Sequence, residues 1–164
     1  MKLLLALTAL LCAPFTTATA QVGAPYCHGV GCPCGNDDPT RGCGNHGDDG
    51  VITTGAHLIY AGGLASANSD TLEFAAYGLA VNQFGILFMG GGQTSAPLGA
   101  GLRCVVSGGQ GVHRFPVEQA DFFGEVRVTQ IVSHSQGFPG GGPIQPGSSW
   151  NFQYWYRDPS GPCG

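Results

Sequence analysis

Apolar and polar positions follow each other in short runs divided by clusters of glycine. In residues 71–77, Leu72, Phe74 and Ala76 fall on one side of an extended chain and Glu73 on the other. In residues 125–132, Val126 and Val128 alternate with Glu125 and Arg127 in the same way. A period of two places successive side chains on opposite faces of a strand, so these runs predict strands with one buried face. The same reading predicts strands over residues 56–61, 84–89, 102–107, 112–117 and 150–157. The dividers include Gly62-Gly63, Asn68-Ser69-Asp70, Gly90-Gly91-Gly92, Gly108-Gly109 and Gly140-Gly141-Gly142-Pro143, which are turn-forming sequences. No helical period is sustained over a useful length. The expected fold is therefore all-β: an antiparallel, jelly-roll-like β-sandwich of about seven or eight strands.

The strongest strand is residues 150–157. Trp150, Phe152, Tyr154 and Tyr156 share one face, which reads as core. Asn151, Gln153, Trp155 and Arg157 share the other. A Trp on a polar face between Gln and Arg is suited to stacking on a sugar ring, so Trp155, Gln153 and Arg157 are the candidate ligand-binding residues. The competing reading covers Trp155 with a loop.

The N-terminus changes the setting. Lys2 is followed by the apolar run Leu3–Leu11 and then by Ala18 and Ala20 in an A-x-A spacing, the layout of a secretory signal cut after Ala20. Lipidation at Cys12 is the weaker alternative, because Leu11 stands where a small residue is needed. The expected organisation is a signal peptide over residues 1–20, a Cys-rich loop region over 21–50 and a β-sandwich over 51–164. The expected location is outside the cytoplasm: secreted, at the cell surface, or in a periplasm.

Without the signal, six cysteines remain: Cys27, Cys32, Cys34, Cys43, Cys104 and Cys163. An even number in an exported chain reads as disulfides. Four crowd into residues 27–43, which suggests two local bridges and leaves Cys104 to pair with Cys163. Soft ligands for zinc are the rival use of Cys27, His28, Cys32, Cys34, Cys43 and His46. A redox role for the Cys32-Pro33-Cys34 pair is weaker, since the spacing is not C-x-x-C.

Charge excludes some partners. The processed chain keeps five arginines against ten acidic residues, and no basic patch is visible. Nucleic acid and anionic membrane surfaces are not expected partners, and no later stretch is apolar enough to insert in a membrane. The segment Asn45-His46-Gly47-Asp48-Asp49-Gly50 resembles part of a calcium loop, but Ala56 stands where an EF-hand needs Glu. A structural calcium held by Asp37, Asp38, Asp48 and Asp49 is the one cofactor expectation; capped turns are the simpler account of these residues.

Catalytic signatures are missing. There is no G-x-S-x-G elbow, and His134 between Ser133 and Ser135 is not a triad. Glu73, Glu118, Asp121 and Glu125 are available carboxylates without a defining spacing, and none of the five histidines forms H-E-x-x-H.

Four elements together carry a resemblance: Cys32-Pro33-Cys34-Gly35-Asn36 with Gly42-Cys43-Gly44-Asn45; residues 82–88; Gly99-Ala100-Gly101-Leu102-Arg103-Cys104; and Phe152-Gln153-Tyr154-Trp155-Tyr156-Arg157-Asp158-Pro159. In this order the chain resembles a family of secreted β domains from environmental bacteria. The resemblance implies a compact exported β domain and implies no catalytic residue. It also implies a further apolar strand after Pro162-Cys163-Gly164, whose absence would leave an edge open to a partner strand.

The sequence thus predicts a non-enzymatic extracellular module that meets a cell-surface, matrix or glycan partner. A small secreted hydrolase and a structural subunit assembling through its C-terminal edge are the two alternatives.

Overall fold

The computed structural model describes residues 23–47, 54–63, 65, 69–161 and 163. The expected signal peptide and Asp48 and Asp49 lie outside them. Eight strands form three small antiparallel sheets: β1 (His57–Gly62), β2 (Glu73–Tyr77), β3 (Phe84–Gly90), β4 (Gly92–Leu98), β5 (Gly101–Val106), β6 (Val112–Gln119), β7 (Val126–Val128) and β8 (Asn151–Tyr156). One short helix, α1 (Ile131–Ser135), follows β7. The sheets are ordered β1-β2-β7, β6-β3-β8 and β4-β5, and the described residues close no barrel.

The two three-stranded sheets share one core. Ala76, Val126 and Val128 from the first, with Leu72 just before β2, meet Leu87, Met89, Phe115 and Tyr154 from the second. The rings of Phe74 and Phe152 lie 4.6 Å apart between them. The period-two reading of β7 and β8 holds: Tyr154 is buried, Phe152, Tyr156 and Trp150 pack on the core, and Arg127 and Trp155 face out. In β2, Phe74 and Ala76 pack on the core as expected, but Ala75 on the Glu73 side is buried too. Gly85 is required where the Tyr154 ring crosses β3, since a Cβ there would meet Tyr154 Cε1 at 2.5 Å.

Two elements differ from expectation. The run 125–132 is not one strand: pairing with β2 ends at Val128, Gln130 takes a left-handed conformation (φ 55°), and α1 begins. The Asp70 carboxylate accepts from the Ser133 amide at 2.7 Å, which supplies the helix start from a distant loop. Fully buried Ser135 then donates to the Val132 carbonyl (2.6 Å) and accepts from the Ile144 amide (2.9 Å), tying the proline-rich loop down. The second difference is β4, which has no apolar alternation and contains Pro97. It survives because the β4–β5 ribbon asks each strand for one hydrogen-bonded neighbour only, where proline is tolerated. Gly91 carries the chain from β3 into β4, which pairs with β5 rather than returning along β3.

The six cysteines among the described residues are all paired, but not as expected. The bridges are Cys27–Cys104, Cys32–Cys43 and Cys34–Cys163. Only Cys32–Cys43 is local, and the proposed Cys104–Cys163 staple does not form. Proximity in sequence misled here because the N-terminal segment lies against the rest of the chain. Asn36 donates to the carbonyls of Gly44 (2.6 Å) and Ala100 (3.2 Å), and Tyr26 Oη to that of Cys104 (3.4 Å). Cys27 is thereby carried to β5. The pairing also removes the thiolates a zinc site would need. Three disulfides are consistent with an oxidising, extracellular-type location.

Candidate functional site

The outer face of the β6-β3-β8 sheet is set by register. Ile86 lies opposite Val117 on one side and Trp155 on the other, and Phe88 lies opposite Arg114 and Gln153. Leu87 and Met89 take the inner face, so Phe84, Ile86 and Phe88 are left facing outward. The β4–β5 ribbon lies over part of this face and holds it through Gln153. The Gln153 side chain accepts from the Cys104 amide and donates to the Leu102 carbonyl, both at 2.7 Å. Beside that clamp the ribbon and the sheet enclose an open groove of about 1050 Å³.

The groove wall is apolar: Phe84, Ile86, Phe88, Val105, Val112, Val117 and Trp155 contribute to it. Its charged members are Arg103, Arg114 and Arg157, with no Asp, Glu or His in the lining. Three of the chain's five arginines thus surround one groove in a chain of net negative charge. Arginine presents a planar fork of donors that suits carboxylate or phosphate, and it also stacks on flat apolar groups.

The structure divides the candidate ligand residues. Trp155 is 41% exposed and lines the groove with Arg157, so no loop covers it. Gln153 has a structural task as well: its amide oxygen and nitrogen each make one bond to the β5 backbone, so it holds the ribbon in place. Sequence reasoning missed Arg103 and Arg114, which fall in the expected strands 102–107 and 112–117 but had no assigned face or neighbours. It also missed the floor, because the expected strand 84–89 carried no face assignment; in the fold Ile86 is half-buried and Phe88 buried on the outer side of β3, and both line the groove.

The carboxylates have other work. Asp37 accepts from the amides of Cys32 (2.7 Å) and Gly31 (3.0 Å), and the Gly31 bond is the main influence lowering its pKa. Burial tends to raise the Asp38 pKa, but bonds from the amides of Gly55 and Thr40 and the Thr40 hydroxyl overcome this and lower it to about 2. Both side chains therefore act as turn caps. Among the described residues no group of three or more His, Cys, Asp or Glu is placed to hold a metal ion. Asp121 Oδ1 accepts from the amides of Phe123 and Glu125, and Glu73 pairs with Arg127 at 2.5 Å. Asp158 braces the His46 amide at 3.0 Å, and buried His113 is bonded to the Gln110 carbonyl at 2.8 Å. These acids and His113 are engaged within the fold, and none lines the groove.

Asp38 gives a pH prediction. Its folded pKa lies below the ordinary value of 3.8, so the stabilisation is complete above that pH and fades as pH falls towards about 2. Asp38→Asn is expected to lower the melting temperature at pH 6, with the gap to the parent closing between pH 4 and pH 2. Circular dichroism melts across that range measure it, and a gap that stays constant down to pH 2 contradicts the account.

No known protein family, curated protein or solved structure matches the chain.

Proposed function

We propose that the protein is a secreted, non-enzymatic interaction module on a jelly-roll-like sandwich, and that the arginine-rimmed groove is its binding face. The observation that carries this is the groove's composition: an apolar wall, three arginines and no acid or histidine. A catalytic cleft for hydrolysis would bring acid–base groups together, whereas the carboxylates described above cap turns or pair with cations. The partner that fits is apolar and anionic, at a cell surface or in an extracellular matrix. A neutral glycan fits less well, because the groove's charged members are three arginines and Gln153 is already bonded at both ends of its amide to β5.

Dodecanoate is a minimal probe of that chemistry, and the indole of Trp155 is the reporter. Titration should give a saturable fluorescence change that disappears in Trp155→Phe, which controls for Trp150. Arg103→Gln with Arg114→Gln should weaken binding by about tenfold or more, the scale of losing one or two charge-assisted hydrogen bonds. A response to neutral oligosaccharides with none to dodecanoate would restore the glycan reading and sink this one.

A further inference from the structure

The molecule carries a knob that matches its groove. β6 runs into a turn whose tip is Phe122-Phe123, 70% and 62% exposed, with ring centroids 3.9 Å apart. The tip is held rigidly. Asp121 Oδ1 accepts from the Phe123 and Glu125 amides, each at 2.9 Å, and the Asp121 amide donates to the Glu125 carbonyl at 2.9 Å. The Gly124 amide closes the turn onto the Asp121 carbonyl at 3.2 Å. Two large aromatics fixed side by side in water are an anchor of the kind that buries in a partner.

The charges around the tip are the opposite of those around the groove. Residues Glu118 to Glu125 include three carboxylates and no cation. The groove lining includes three arginines and no carboxylate. Tip and groove are also neighbours in the fold. The Ala120 amide donates to the Gln83 carbonyl at 2.9 Å and the Asn82 amide to the Asp121 carbonyl at 3.4 Å, which sets the turn beside the Phe84 end of the groove. A tip and a groove at one end of the same sheet allow two copies to exchange tips about a two-fold axis, so that one contact is made twice.

From this complementarity we infer that the groove receives the Phe122-Phe123 turn of a second copy of this chain, with Arg103, Arg114 and Arg157 facing Glu118, Asp121 and Glu125 across the contact. The inference rests on the groove being a binding face, and it names the partner. Because the turn is already ordered, association costs little further conformational entropy. The contact is small, so the dimer is weak and forms in the micromolar to millimolar range.

Sedimentation velocity over about 10 μM to 1 mM reads the association, in the range expected of small interfaces. The parent should shift from monomer to dimer, and raised salt should weaken the shift by screening the paired charges. Phe122→Ser with Phe123→Ser should abolish it, and so should Val117→Asp, which puts a carboxylate into the groove. These residues are exposed, so each variant should keep the parent's melting temperature. Mixing the two variants restores one intact tip and one intact groove, and a mixed dimer should appear although neither variant dimerises alone. A parent that stays monomeric, or a dimer unaffected by the serine pair, overturns the inference. Dodecanoate binding separates the two levels: a monomer that still binds it keeps the groove as a site for another partner, and a monomer that does not loses both.

Discussion

Replacing Cys34 and Cys163 together by serine is expected to destabilise the protein by about 5 kcal/mol, and Cys27 with Cys104 by about 4 kcal/mol, while Cys32 with Cys43 costs about 3 kcal/mol. The order follows the lengths of chain closed: separations of 129, 77 and 11 residues. Each bridge removes conformations from the unfolded chain, and longer loops have more to lose. The Cys27–Cys104 pair has a second consequence, because it fastens the N-terminal segment to β5, the strand that Gln153 clamps over the groove. Its loss should therefore weaken dodecanoate binding as well as lower stability. Urea unfolding of the three double variants measures the ranking. A largest loss from the Cys32–Cys43 variant would mean that local packing, not chain closure, holds the N-terminal segment.

Leu87→Ala is expected to cost about 3 kcal/mol, within the range for deleting a large buried aliphatic side chain and leaving a cavity. Leu87 is fully buried at the middle of β3 and pairs in register with Tyr154, so it sits where both three-stranded sheets meet. Ile59→Ala is the control: at 36% exposure on β1 it should cost under about 1 kcal/mol. Chemical unfolding separates them through the denaturant midpoint. A Leu87 loss as small as that of Ile59 would show that the two sheets do not share a closed core.

Much of the fold was legible because strand faces are a local property. A side chain two residues from Tyr154 must share its face, whatever the strand pairs with, so Phe152 and Tyr156 were placed correctly from spacing alone. Six of the seven expected strands correspond to β1, β2, β3, β5, β6 and β8, and the seventh contains β7 before it bends into α1. Helix α1 escaped because it has five residues, too few to establish a period, and because its starting amide is satisfied by Asp70 far back in the chain. Strand β4 escaped because an exposed ribbon strand needs no apolar alternation. Trp155 was recognisable as an odd residue on a polar face, yet nothing local distinguished its neighbour Gln153 as a clamp.

What the sequence determined by itself was therefore the all-β character and the faces of several individual strands, each decided by residues within a few positions of one another. Which cysteines join, which outward faces stay open and which arginines gather around one groove were decided only by the tertiary structure. Those properties depend on packing between segments up to 129 residues apart, and the cost of bringing such segments together is repaid by contacts that no local pattern records.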